Sequence, residues 1–214
     1  SVLMARLISF GCSFTFGHGL PDCYLPDHNL PGFEHSKMAW PSVLADTLKL
    51  DLLNISSPGA SNERILTNIL KTEFEPTDTV VILWSFIHRG LIYNDDGSDI
   101  EVRPMTVSAE RDPYFKLHGD YDMFVKSLLN MHHATQYLEN NKIKVHNCFM
   151  DFRLRYWLNN AKTHKKLVDF TKTMQFISFT ELLTDRALDN SHPGINSHKN
   201  IANAIYNSLK EKHE

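Results

Sequence analysis

Three side chains in this sequence have the types and the setting for nucleophilic catalysis. They are Ser13, in the turn Gly11-Cys12-Ser13-Phe14, and Asp189 with His192, in Asp189-Asn190-Ser191-His192-Pro193-Gly194. A serine hydroxyl alone is a weak nucleophile at neutral pH and needs a base to take its proton. A carboxylate shortly ahead of an imidazole, in a turn, can reach back to one ring nitrogen and leave the other for the serine. Pro193 restricts the backbone of His192 and so limits the positions open to its ring. The chemistry such a trio supports is acyl transfer through a covalent serine intermediate, and the chain order Ser, Asp, His is compatible with it.

Ser13 must be held at the right place for this to work, and the flanking pattern provides it. Leu3 to Phe10 reads as a short buried strand closed by Gly11. In open parallel sheets ligands bind outside the carboxyl ends of the strands, so Ser13 falls in the expected crevice. A short helix beginning there would aim backbone N–H groups at a developing negative charge. Downstream, Trp40 to Leu50 has helical spacing and Asp51 to Ile55 reads as a strand. Asn62 is an N-cap candidate for a helix through Lys71, and Thr79 to Trp84 is the strongest strand signal. Tyr121 to Asn140 reads as helix, Lys144 to Met150 and Met174 to Phe179 as strands, and Ile195 to Lys210 as a final amphipathic helix. Alternating strands and helices predict a three-layer α/β/α, flavodoxin-like fold with a mostly parallel sheet of about five strands.

The chain has 214 residues, a length that predicts one domain over residues 1–214. Hydrophobic residues make up 42% and charged residues 22%, as in folded globular proteins. With a formal charge of −3, nothing global favours nucleic acid or an anionic membrane surface as partner. No apolar run approaches the roughly 20 residues that span a bilayer. The 3 cysteines, Cys12, Cys23 and Cys148, have neither disulfide-framework nor zinc-site spacing. Residues Ser1 to Phe10 lack a signal-peptide pattern, so a cytoplasmic location is expected. Oligomeric state is not legible.

Several motifs together resemble those of the SGNH hydrolases, the GDSL-type esterases and lipases. Gly11-Cys12-Ser13-Phe14-Thr15 is similar to their first block, Gly-Asp-Ser, with Cys12 at the aspartate position. Gly59, in Ser57-Pro58-Gly59-Ala60-Ser61-Asn62, stands where their second block has a glycine, and Asp189 to Pro193 is similar to their last block, Asp-x-x-His. Trp40-Pro41-Ser42-Val43-Leu44 also resembles their entry to the first helix. The resemblance covers nearly the whole chain in order. It implies a serine esterase acting on a small-molecule or glycan ester, with Ser13 as nucleophile, His192 as base, Asp189 as orienting carboxylate, and no metal or organic cofactor. It further implies oxyanion donors at the backbone N–H groups of Ser13 and Gly59. The third block, usually Gly-x-Asn-Asp, is absent from Leu83-Trp84-Ser85-Phe86-Ile87-His88-Arg89. Ser85, and after it Asn62, are the substitutes the sequence offers for the missing asparagine. That loss also motivates an alternative, a catalytically degenerate protein that binds a glycan or protein partner.

Other motifs weigh less. Cys12, adjacent to Ser13 on an extended segment, should face the opposite side as a buried thiol. Gly17-His18-Gly19 is a partial dinucleotide-loop match broken by Pro21 and Asp22, leaving a nucleotide-binding domain as the weakest reading. His132 and His133 diverge by about 100° on a helix and so should be ordinary surface residues. Arg153-Leu154-Arg155-Tyr156-Trp157 with Lys162 to Lys166 reads either as a solvated helix face or as a sugar or anion contact. Three connections, 15–39, 86–120 and 151–173, exceed the usual lengths of βα or αβ joints and read as lids, binding surfaces or flexible excursions rather than linkers.

Overall fold

The computed structural model describes residues 5–160 and 165–211. Five parallel strands build the central sheet: β1 (Arg6–Phe10), β2 (Asp51–Asn54), β3 (Thr79–Trp84), β4 (Lys144–Phe149) and β5 (Gln175–Phe176). Their spatial order is β2-β1-β3-β4-β5, the flavodoxin-like order, with β1 and β3 flanking the point where the winding reverses. Four longer helices cover the sheet: α1 (Trp40–Leu48), α2 (Asn62–Lys71), α3 (Asp120–Asn140) and α4 (Ile195–Glu211). Right-handed crossovers outward from β1 to β2, then back across β1 to β3, put α1 and α2 on opposite faces. Since α4 packs on α1 and α3 packs on α2, each face carries a helix pair.

Apolar β-branched residues explain β3. Val80 through Trp84 are fully buried, as a strand covered on both faces requires. Each such side chain contributes about 1.5–3 kcal/mol on burial. Trp84 keeps its one polar atom satisfied, with Nε1 donating to Asn147 Oδ1 at 2.9 Å.

The expected elements are present with small shifts of boundary. β1 is described from Arg6, and residues 1–4, including Leu3 of the expected strand, lie outside the described residues. The α2 N-cap is Ser61, whose hydroxyl accepts from Arg64 N at 3.2 Å, whereas Asn62 is the first helical residue. Asn62 cannot cap because its amide is turned inward, toward the backbone of Ser85. The strand expected over Met174 to Phe179 shrinks to β5, since Phe179–Leu182 coils into a helical turn. Two of the three long connections carry substantial structure of their own. The 86–120 segment forms a hairpin, Gly90–Tyr93 with Asp99–Val102, and a helix, Arg111–Leu117. The 151–173 segment holds helices Phe152–Asn160 and Lys165–Phe170, and part of its expected basic run, Lys162 with residues 161–164, lies outside the described residues. No helix among the described residues is long and apolar enough to cross a membrane.

One buried histidine joins the two helices of a layer. His198 Nδ1, on α4, accepts the N–H of Trp40 at 3.1 Å, which serves an otherwise orphaned donor at the start of α1. Burial, opposed by the pull of Asp185 and aided by repulsion from His192, lowers the His198 pKa from 6.5 to about 4. In the unfolded chain this imidazole takes a proton at higher pH than in the fold. Its contribution is therefore complete above pH 6.5 and is lost as pH falls toward about 4. The full loss is roughly 3 kcal/mol at 1.36 kcal/mol per pKa unit. Urea unfolding at pH 7 and pH 4 should show the wild type losing more stability than His198→Asn by about this amount; equal losses in the two proteins would contradict the assignment.

Candidate active site

The chain leaves β1 through a tight turn into a short helix, Ser13–Phe16. Gly11 permits that turn, because a Cβ there would lie 2.1 Å from Thr15 Oγ1. Cys12 is fully buried on the core side, as expected for a thiol next to an outward residue. Ser13 is 4% exposed and lies on the wall of a cavity of about 670 Å³ at the carboxyl end of the sheet. Neither its hydroxyl nor its backbone N–H has a hydrogen-bond partner among the described residues.

His192 lines the same cavity. Its Nδ1 is hydrogen-bonded to Asp189 Oδ2, while Asp189 Oδ1 accepts the Ser191 and His192 amides, each at 3.0 Å. Burial alone would raise the Asp189 pKa, but these hydrogen bonds and the attraction of the His192 ring hold it below the usual carboxylate range. With Nδ1 engaged, Nε2 is the ring atom left for another partner. The turn is closed by Ala187 N donating to His192 O at 3.0 Å and is tied to the 15–39 excursion by Leu188 N donating to Gly19 O at 2.9 Å. His18, from that excursion, stacks on His192 with ring centroids 4.3 Å apart. Burial, then repulsion from His192, lowers the His18 pKa against the opposing pull of Asp189. Capping of α4 falls to Asp185, whose carboxylate accepts from Asn196 N at 3.0 Å and Ser197 N at 2.7 Å. Asp189 and His192 are thereby free of that duty.

Gly59 forms a further part of the cavity wall, with φ of +83°. Its N–H has no acceptor among the described residues. Ser85 and Asn62 are placed differently from Ser13 and Gly59: both are buried, 0% and 1% exposed, and neither lines the cavity. Asn62 Oδ1 accepts Ser85 N at 2.8 Å, and its Nδ2 donates to Ser85 O at 3.3 Å and Ser127 Oγ at 3.0 Å. All of its amide capacity facing β3 is spent on joining α2 to the strand end. Ser85 Oγ accepts from Arg89 Nη1 at 2.9 Å. Arg89 also donates to Ala60 O at 3.2 Å, so a guanidinium spans the end of β3 and the Gly59 turn.

Sequence reasoning missed Arg89 and Arg103, both on the cavity wall. Arg89 directly precedes the hairpin and Arg103 directly follows it, and the pairing of Gly90 with Val102 brings the two to the same open end. The hairpin is pinned to α2 by Arg64, which is ion-paired with Asp99 and bonded to Glu101 at 3.2 Å. Glu101 also accepts Ser61 N at 3.1 Å. Consequently Arg103 rests on Gly59, where a Cβ would lie 2.3 Å from Nη1. The signal that could have found them was the strand-turn-strand pattern within 86–120, with Asn94-Asp95-Asp96-Gly97 as the turn. Arg153, singled out in the basic stretch, lines the cavity as well, while Arg155 lies over the Phe176 ring at 4.5 Å. His132 and His133 sit along α3, His132 edge-on to Phe170.

Two other features bear on what the site can hold. Ligating atoms of His18, Asp189 and His192 lie within 4.8 Å of one another. A cation there would compete for the carboxylate oxygen that already accepts from His192. A larger cavity, about 820 Å³, lies between the hairpin, Arg111–Leu117 and α3. Its walls carry Tyr114, Glu63 and the hydrogen-bonded pair Lys126 and His118, but neither a serine nor a cysteine.

No protein-family model matches the chain, and no curated protein matches it in sequence. Solved structures do. One is a carbohydrate esterase whose active site is described as displaying divergent catalytic and non-catalytic binding functions, 18% identical with a TM-score of 0.57, covering 96% of this chain and 65% of that one. An acetyl xylan esterase from the rumen bacterium Butyrivibrio proteoclasticus is 14% identical with a TM-score of 0.58, covering 99% of this chain and 64% of that one. This chain therefore spans slightly less than two thirds of either esterase. A member of the lipolytic protein G-D-S-L family from Veillonella parvula is 12% identical with a TM-score of 0.51, and 97% of each chain is covered. With the order β2-β1-β3-β4-β5 and helices on both faces, this chain has the fold shared by the G-D-S-L lipolytic proteins and these carbohydrate esterases.

Proposed function

We propose that this chain is a single-domain serine ester hydrolase in which Ser13 is the nucleophile, His192 the general base and Asp189 the carboxylate that orients it. The observation that carries the reading is the convergence of Ser13 and the Asp189-braced His192 on one cavity. In the reaction, Ser13 Oγ attacks the ester carbonyl as His192 Nε2 takes its proton. The C–O bond to the alcohol then breaks, and the same proton passes to the departing oxygen. A water, deprotonated by His192, attacks the acyl-enzyme, releases the acid and returns the proton to Ser13.

The tetrahedral oxyanion needs donors already in place. The free N–H groups of Ser13 and Gly59 supply two. Arg89, held by Ser85 Oγ and Ala60 O, supplies a third, cationic one in place of the absent asparagine. One such donor is worth about 2.7–4 kcal/mol of transition-state stabilisation. A small acyl ester or a carbohydrate O-acyl ester is the substrate class in keeping with the compact cavity and with the esterases that share the fold.

Replacement of Ser13 by alanine should lower kcat on an activated acetyl ester by about four orders of magnitude. Unchanged turnover by pure, folded mutant would exclude Ser13 as nucleophile, whereas a folded wild type without turnover would favour the binding protein. Asp189→Asn should lower kcat by a similar factor, roughly 10⁴, while leaving KM within a few-fold, because the ring loses its orientation and tautomer and the cavity keeps its shape. A loss confined to KM would place Asp189 in binding instead.

A further inference from the structure

The cavity is strongly cationic in a chain whose formal charge is −3. Arg89, Arg103 and Arg153 line it, and no aspartate or glutamate does. Arg89 is engaged with Ala60 O and Ser85 Oγ. Arg153 Nη1 meets His88 Nδ1 at 3.2 Å, and His88 Nε2 is turned away to Asp120 Oδ1 at 2.9 Å. Arg153 also lies over the Phe152 ring at 5.4 Å, and it has no carboxylate partner among the described residues. Arg103 is the least satisfied. Among the described residues its guanidinium has no hydrogen-bond or ion-pair partner, and its Nε is closed off from solvent without an acceptor.

Such an arrangement costs stability. Two arginines at one end of a hairpin repel, and a guanidinium with a buried unpaired N–H forfeits the hydrogen bonds it makes in water. Elsewhere the hairpin pairs its charge, as Arg64 does with Asp99 and Glu101. Of the arginines at and beside the hairpin, Arg89 and Arg103 on the cavity wall are the ones without a carboxylate partner among the described residues, and a planar, forked donor suits a carboxylate or phosphate above other ligand groups.

We propose that the ester hydrolysed here carries an anionic group, a carboxylate or a phosphate, and that Arg103 and Arg153 hold this group while the ester carbonyl lies at Ser13. The inference rests on the hydrolase reading above and narrows its substrate class. Recognition by Arg103 accounts for the Gly59 turn on which that side chain lies, since any larger residue there would displace the guanidinium. A positive cavity in a negative chain also attracts anionic substrates from a distance, an effect that salt weakens.

The test compares three 4-nitrophenyl esters of one acyl length: the hemisuccinate, its neutral methyl ester and the 3-phosphonopropionate. For the wild type, kcat/KM on at least one charged ester should exceed that on the neutral one by about tenfold or more, mainly through KM. Which charged ester leads identifies the anion. The preference should shrink with added salt, and in Arg103→Gln or Arg153→Gln it should fall toward unity. Equal turnover of all three esters by the wild type would overturn the proposal. A parallel calorimetric titration uses Ser13→Ala with the anilides of succinic acid and of 3-phosphonopropionic acid and with the methyl ester of the first. If the hydrolase reading alone is wrong, no ester is turned over yet at least one charged anilide still binds more tightly than the neutral one. Equal binding of all three anilides, or none, would sink the anion site whatever the esterase result.

Discussion

The Asp189 carboxylate accepts hydrogen bonds from the Ser191 and His192 amides and from the His192 ring, all within one short turn. Three donors converging on one partly buried anion leave the imidazole little freedom, and they favour the ionised carboxylate that keeps Nδ1 occupied. The rest of the site presupposes this. His18 stacks on a ring that is already fixed, and the Leu188 to Gly19 bond joins the turn to the excursion that begins beside Ser13. The helix that follows does not draw on the same carboxylate, because Asp185 takes over its capping. Separate acceptors thus serve stability and orientation, only a few residues apart.

On the opposite wall the positioning is done by a hairpin. Arg64 and Glu101 fasten it to the start of α2, the same place where Ser61 caps the helix and Asn62 grips the end of β3. Stabilising pairs are concentrated at that anchor, while Arg89 and Arg103 at the open end are left to face the cavity. Unpaired polar groups of this kind are tolerated where a ligand completes them. The oxyanion donor proposed at Arg89 and the anion contact proposed at Arg103 would be two uses of one structural device.

Sheet and helix layers were legible in the sequence because their signals are local. Thr79 to Trp84 is a near-continuous apolar run and its bounds agree with the structure, while the helix expected to be capped by Asn62 ends at Lys71 as expected but begins one residue earlier, with Ser61 as its cap. Ser13, Gly59, Asp189 and His192 were legible as motifs, and the fold brings Ser13, Gly59 and His192 to one cavity with Asp189 behind the ring. What escaped was non-local. Asn62 and Ser85 looked available as donors, but the Asn62 amide is spent on the Ser85 backbone across the core and the Ser85 hydroxyl accepts from Arg89, which no spacing reveals. Arg89 and Arg103 are separated by an entire hairpin in sequence and become neighbours only through its register.

The central claim is that Ser13 is a nucleophile activated by His192. It is tested most directly by reacting the folded protein with a fluorophosphonate and mapping the adduct by mass spectrometry, in wild type and in His192→Ala. A single phosphonylated residue, Ser13, is expected in the wild type, with labelling lower by orders of magnitude in the variant. A label at another residue, or undiminished labelling of Ser13 without His192, would contradict it.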